Sequence, residues 1–301
     1  CDRSGPGRAI VSVQRRASLR PMARRTVGIG LLLVTTALFA SETPSLVRDA
    51  SAQVVQQDRS GTQLRIDADQ GLEWRRREKV VVARGNAQAV RGDLKVQARE
   101  LSALYREGPE GNNEIFRIIA IGGVRLFAPN QTAYGERAVY DVDEDRLLLT
   151  GGERVRLVSD RSEISAQRSL EYWPKFDRLV ATGDAVAVQP DRQIFGDTIT
   201  AYFANGPDGQ QILSTAEAVG NVKVVTADET IYSDAGNYDA KSGIATVEGS
   251  VKIVRGTDRL DGCRGQMDFN TGVSRLFACE RLTPSDGRVR GRIQINKDGG
   301  G

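Results

Sequence analysis

Histidine is missing altogether from this chain of 301 residues. That excludes Ser/His/Asp and Cys/His triads, an imidazole general base and any histidine-liganded metal. With only three cysteines the chain cannot build a four-thiolate zinc site. No P-loop is present either, so the chain is not expected to draw energy from a nucleoside triphosphate itself. No catalytic residue, metal or cofactor is implied. Aromatic residues are sparse at 6%, while 40% of the chain is hydrophobic and glycine numbers 32, the composition of a globular protein.

The positive charge is also missing from where it first appears to lie. The formal net charge is +3, but residues 1–52 hold eight Arg against three acids. Residues 53–301 therefore carry 34 Lys+Arg against 36 acids, a net charge of −2, and give no reason to expect a nucleic-acid partner. The leader reads as a secretory signal peptide over residues 22–52. Met22-Ala23-Arg24-Arg25 precedes an uncharged stretch, Thr26 to Ser41, and Ala50-Ser51-Ala52 offers an A-x-A cleavage site. Cleavage nearer Ala40 or retention as an anchor is the alternative, and residues 1–21 read as an upstream extension placed by too early a start. The folded part is expected outside the cytoplasm.

Repeats organise the remainder. Trp74, Tyr105, Tyr140, Tyr172, Phe203 and Tyr238 are followed by Gly85, Gly122, Gly151, Gly183, Gly220 and Gly249 at gaps of 11, 17, 11, 11, 17 and 11 residues. The two longer gaps carry matching insertions, Glu107-Gly108-Pro109-Glu110-Gly111 and Asn205-Gly206-Pro207-Asp208-Gly209, which lie 98 residues apart. Val82 to Gly151 laid over Val180 to Gly249 gives 19 identities in 70 positions. The pattern is a tandem duplication of three repeats of about 31 residues each.

The repeats read as β. Gly220-Asn221-Val222-Lys223-Val224-Val225 and Gly249-Ser250-Val251-Lys252-Ile253-Val254 alternate apolar with polar residues and are bounded by turn signals. No segment sustains a long amphipathic helix. A rolled all-β sheet or solenoid buries the apolar faces most economically. The residues expected to line its interior are Val124, Leu126, Val155, Leu157, Val186, Val188, Val222, Val224, Val251 and Ile253. Arg125, Arg156, Lys223 and Lys252 alternate onto the other face, where they would attract an anionic ligand such as a phosphorylated lipid, a solvated sheet face being the default reading. Arg75-Arg76-Arg77 is read as a surface turn.

The phrases Ile66-Asp67-Ala68-Asp69 with Leu72-Glu73-Trp74, Ala83-Arg84-Gly85-Asn86-Ala87, and Ala218-Val219-Gly220-Asn221-Val222 leading to Asn237-Tyr238-Asp239 resemble the OstA-like family of lipopolysaccharide-transport proteins. The resemblance covers residues 62 to 280 or so and implies a twisted, open β-jellyroll whose apolar interior holds lipid A acyl chains. It further implies a periplasmic location, an inner-membrane exporter anchor and an outer-membrane translocon as partners, and head-to-tail self-association. Two units are expected, residues 62–172 and 173–284, followed by a mobile tail at 285–301. The duplication is plainer here than in the family pattern, which leaves the copy number of a bridge open. A membrane-anchored component of the same pathway and a β-solenoid adhesin or glycan-binding protein are the competing readings.

Carboxylates at Asp141, Asp143, Glu144, Asp145 and Asp239 follow the repeated tyrosines and fit turn chemistry better than glycoside hydrolysis. In an oxidising compartment Cys263 and Cys279 can pair. A hairpin loop at Asn270-Thr271-Gly272 would set Phe269 opposite Val273 and Cys263 opposite Cys279, two reduced thiols being the alternative.

Overall fold

The computed structural model describes residues 54–57, 63–109, 111–207, 211–279 and 288–293. The expected leader and upstream extension lie outside these residues. The described chain forms a single antiparallel sheet of 19 strands. Its first copy comprises β1 (Val54–Gln57), β2 (Gln63–Asp67), β3 (Gly71–Arg75), β4 (Val80–Arg91), β5 (Leu94–Glu107), β6 (Asn113–Ala128), β7 (Gln131–Asp141), β8 (Arg146–Thr150) and β9 (Val155–Ser159). The strands continue with β10 (Glu163–Ala166), β11 (Ser169–Trp173), β12 (Arg178–Gln189), β13 (Arg192–Asn205), β14 (Gln211–Thr226), β15 (Thr230–Asp239) and β16 (Ile244–Arg255). The last are β17 (Asp258–Asp268), β18 (Val273–Phe277) and β19 (Arg290–Arg292).

Strand positions repeat with the sequence. β12, β13 and β14 begin at Arg178, Arg192 and Gln211, each 98 residues after the starts of β4, β5 and β6 at Val80, Leu94 and Asn113. The same offset carries β3 onto β11. The expected division at 172/173 meets no break in the sheet, because Leu170 of β11 pairs with Ala181 of β12.

The repeated glycines do more than open short strands. In β4, β6, β12, β14 and β16 the register slips at the glycine, between Arg84/Ala87, Ile121/Val124, Thr182/Ala185, Val219/Val222 and Glu248/Val251. Each slip is a bulge that bends a long strand. Gly183, at φ +90°, shows why glycine is needed: an added β-carbon would fall 2.9 Å from Cβ and 3.0 Å from the backbone N of Arg168.

Inward positions follow an alternating rule across this bend. In strands that carry the bulge they are four apart, as Ala83/Ala87 and Ala120/Val124. In β5 and β13 they are three apart, Ala98/Leu101 and Gly196/Ile199, so apolar side chains stay on one side of a folded sheet. Two layers result. The first runs from the aromatic tips to the glycine bend, the second from the bend to the opposite turns.

Arg192 proves the folding. It opens β13 in the second layer, yet its guanidinium lies 5.4 Å from the centroid of Tyr238 and 3.9 Å from that of Phe269, at the tips of the first layer. In a flat sheet roughly nine residues of strand, about 30 Å, would separate Arg192 from Tyr238.

The C-terminal edge differs from expectation in two respects. Asp268 pairs with Val273, so the last hairpin loop holds four residues and the register is shifted by one from that expected. Arg290–Arg292, within the stretch expected to be a mobile tail, pairs with Arg259–Asp261.

Candidate lipid-binding interior

The two layers enclose one apolar cluster running from Leu64 to Met267. Thirteen of its twenty-nine buried residues are alanines, which bring the layers close and leave little area to lose if they part. Glycines complete the packing: a β-carbon on Gly265 would sit 3.0 Å from Val247 and 3.5 Å from Leu276 and Val251. Toward the open side, Leu126, Leu157, Ile194, Leu213 and Leu260 are only partly buried against this cluster.

Eight of the ten residues expected to line the interior point into it. Val124, Val155, Val222, Val224, Val251 and Ile253 are buried, and Leu126 and Leu157 pack against them. Val186 and Val188 do not. The bend at Gly183-Asp184 consumes one residue, so Ala185 and Ala187 turn inward and Val188 is 37% exposed on the outside. All eight belong to the second layer. The facing wall, including Leu101, Leu149, Leu170, Leu179, Ile199, Val247 and Met267, was not among the expected residues. The signal for it was the change of spacing from four to three across the bend.

Aromatic side chains close the tips of the first layer. Trp74 Nε1 donates to Tyr105 Oη at 2.7 Å, and the two rings meet edge to face. Tyr140 Oη donates to Asp145 Oδ1 at 2.8 Å; burial and this carboxylate push its pKa up to about 12. Arg192 covers the equivalent place in the second copy, over Tyr238 and Phe269.

The carboxylates after these tyrosines stabilise turns and ion pairs. Asp141 accepts from Arg117 Nη2 at 2.6 Å and from the backbone N–H of Glu144 at 3.2 Å. Asp143 pairs with Arg106, and Asp239 accepts from the backbone and hydroxyl of Ser242. The Arg117 guanidinium lowers the pKa of Asp141, and the Ser242 bonds lower that of Asp239. A general acid requires the opposite shift.

Cys263 follows the bend of β17 and is joined to Cys279, just after β18, with Cα atoms 5.0 Å apart. The bond ties the two parts of the C-terminal edge, β18 in the first layer and β19 in the second, close to their junction.

Comparison with known proteins identifies the family. The sequence profile described as "LptA/(LptD N-terminal domain) LPS transport protein" matches residues 65–172 and again 164–264. The chain belongs to this family of lipopolysaccharide transport proteins. Its second match begins inside β10, near the start of the second structural copy. An uncharacterised protein of Rhizobium meliloti (strain 1021) is 26% identical over 188 residues, covering 61% of this chain and 97% of that protein. Among solved structures, the chain is similar to LptH, the LptA-homologous periplasmic component of the lipopolysaccharide transport device of Pseudomonas aeruginosa. That similarity has 17% identity and a TM-score of 0.38, and covers 44% of this chain and 95% of LptH.

Proposed function

We propose that this family member is a periplasmic lipopolysaccharide carrier that shelters acyl chains between its two layers and has no catalytic role of its own. One observation carries the reading: a single apolar interior, rich in alanine, runs through both copies and is partly exposed at its open side. Each methylene withdrawn from water contributes roughly 0.8 kcal/mol, so several acyl chains can drive the layers apart while the sugar remains solvated.

Unpaired strand edges at both ends favour assembly. Among the described residues β3 pairs only with β4, and β18 only with β17. Such edges accept further strands. Head-to-tail copies would extend the interior from an inner-membrane exporter anchor toward an outer-membrane translocon.

The test is recovery of ligand. Protein purified from the periplasm of a lipopolysaccharide-producing host should carry acylated saccharide lipid, detected by mass spectrometry after mild extraction. Ligand-free recovery together with failure to bind added lipopolysaccharide would contradict the proposal.

A further inference from the structure

One row on the outer surface of the second layer handles charge differently from the ion pairs elsewhere on the sheet. On the first layer, charges satisfy one another: Arg84 pairs with Glu73 and Glu100, and Arg117 with Asp141. On the second layer a single row of cross-strand neighbours runs through both copies, and among the described residues no ion pair joins its cations to a carboxylate. Arg125 lies opposite Tyr134, Tyr134 opposite Arg156, and Arg156 opposite Ser165. The row crosses to the second copy through Val186 and Phe195, then continues to Lys223, Tyr232 and Lys252.

Cations and aromatics interact along it. Arg156 lies 5.3 Å from the ring centroid of Tyr134, Lys223 5.2 Å from that of Phe195, and Lys252 4.2 Å from that of Tyr232. The gap at Ser165 is filled by Arg154, whose Nε donates to Ser165 Oγ at 3.3 Å and whose Nη2 donates to the carbonyl of Asp184 at 2.5 Å. Five cations thus share one row; among the described residues the carboxylate directly opposite one of them is that of Asp261, across from Lys252 and already paired with Arg259. The row sits on a domain whose net charge is −2 (34 Lys+Arg against 36 acids).

Shape narrows the partner. Arg125 and Lys252 stand eight strand spacings apart, about 38 Å across the sheet. Over that distance a twist of roughly 20–25° per strand turns the surface through about 160–200°. A planar membrane cannot meet both ends of such a row, whereas a flexible chain can follow it. Cations pair with phosphate or carboxylate groups. The half-buried rings of Tyr134 and Phe195 and the exposed ring of Tyr232 add aromatic surface that favours positively polarised C–H groups, which sugar rings present.

We infer that this row binds the phosphorylated saccharide of lipopolysaccharide, as an outer rail running along the same axis as the apolar interior. The inference rests on the carrier reading, and it assigns the polar half of the ligand a place on the protein. The saccharide leaves the open side of the roll and bends over the turns of the second layer to reach the rail.

The experiment uses lipopolysaccharide stripped of its acyl chains by alkali, titrated into the full mature protein by calorimetry. Lys223→Gln with Lys252→Gln should weaken binding about tenfold and reduce its salt dependence, and Tyr232→Ala should also weaken it. Lys223→Arg with Lys252→Arg should restore it. All variants should keep the unfolding temperature, since these side chains lie outside the core. Equal binding by wild type and the double glutamine variant, or none by either, would overturn the rail. So would equally tight binding of phosphatidylglycerol vesicles or of an oligodeoxythymidylate of the same charge. In each case an interior photo-crosslinker at Leu126 that still captures intact lipopolysaccharide shows that the carrier reading survives.

Discussion

The guanidinium of Arg192 lies 3.9 Å from the ring centroid of Phe269, although Arg192 opens β13 and Phe269 follows β17. Its Nε and Nη2 donate to Asp191 at 3.1 and 2.5 Å, while Nη1 is buried with no acceptor among the described residues and rests on the faces of Phe269 and Tyr238. The contact clasps the two layers at their open side. Arg192→Ala should lower stability by about 1–2 kcal/mol in urea unfolding, with Arg192→Lys recovering part of the loss. An unchanged unfolding midpoint would show that the clasp does not hold the layers.

Gly183 tests the bend. Gly183→Ala places a β-carbon against Arg168 and forces a side chain into left-handed backbone. A loss of about 1–3 kcal/mol is expected, together with faster hydrogen exchange in β12. Gly196→Ala, whose β-carbon would meet its neighbours at 3.4–3.6 Å without positive φ, should change stability far less.

The Cys263–Cys279 bond closes a loop with a sequence separation of 16. Reduction should lower stability by about 3 kcal/mol and loosen β18. Thiol titration of the unfolded, unreduced protein beginning after Ala52 should find none reactive. Two thiols per chain would show that the cysteines are free.

Stability should fall at both extremes of pH. Glu73, hydrogen-bonded by Arg75 and Arg84, has its pKa lowered from 4.5 to about 2. A depressed carboxyl means the unfolded chain takes up protons first, so this contribution is present above pH 4.5 and is lost as pH falls toward 2. Tyr140 titrates the other way: its pKa is raised from 10.0 to about 12, so its contribution is present below pH 10 and lost as pH rises through 12. Glu73→Gln should flatten the acid limb and Tyr140→Phe the alkaline limb in thermal unfolding scans. Limbs unchanged in the variants would contradict these assignments.

The repeat was legible in the sequence because its glycines occupy bends that other residues cannot fill, as Arg168 shows at Gly183. The second-layer wall was legible where valine or isoleucine follows the glycine by two and four residues, as at Val222 and Val224. At Gly183 those places hold Ala185 and Ala187, whose weak hydrophobic signal lost to the neighbouring Val186 and Val188 on the other face. The first-layer wall went unseen because its side chains keep alternation within each half strand and change it only at the bend. The last hairpin misled by one residue because Asp268 caps its loop, accepting from the backbone N–H groups of Asn270 and Thr271.

The central claim is that acyl chains lie between the layers. Photo-crosslinking from single positions in the presence of intact lipopolysaccharide tests it most directly. Probes at Leu126 and Val224 on the second-layer wall, and at Leu213 on the first, should attach to acyl chains, while Thr200 and Val139 on the outer face of the first layer should not. Acyl-chain adducts at Thr200 and Val139 with none at Leu126, Val224 and Leu213 would contradict the account.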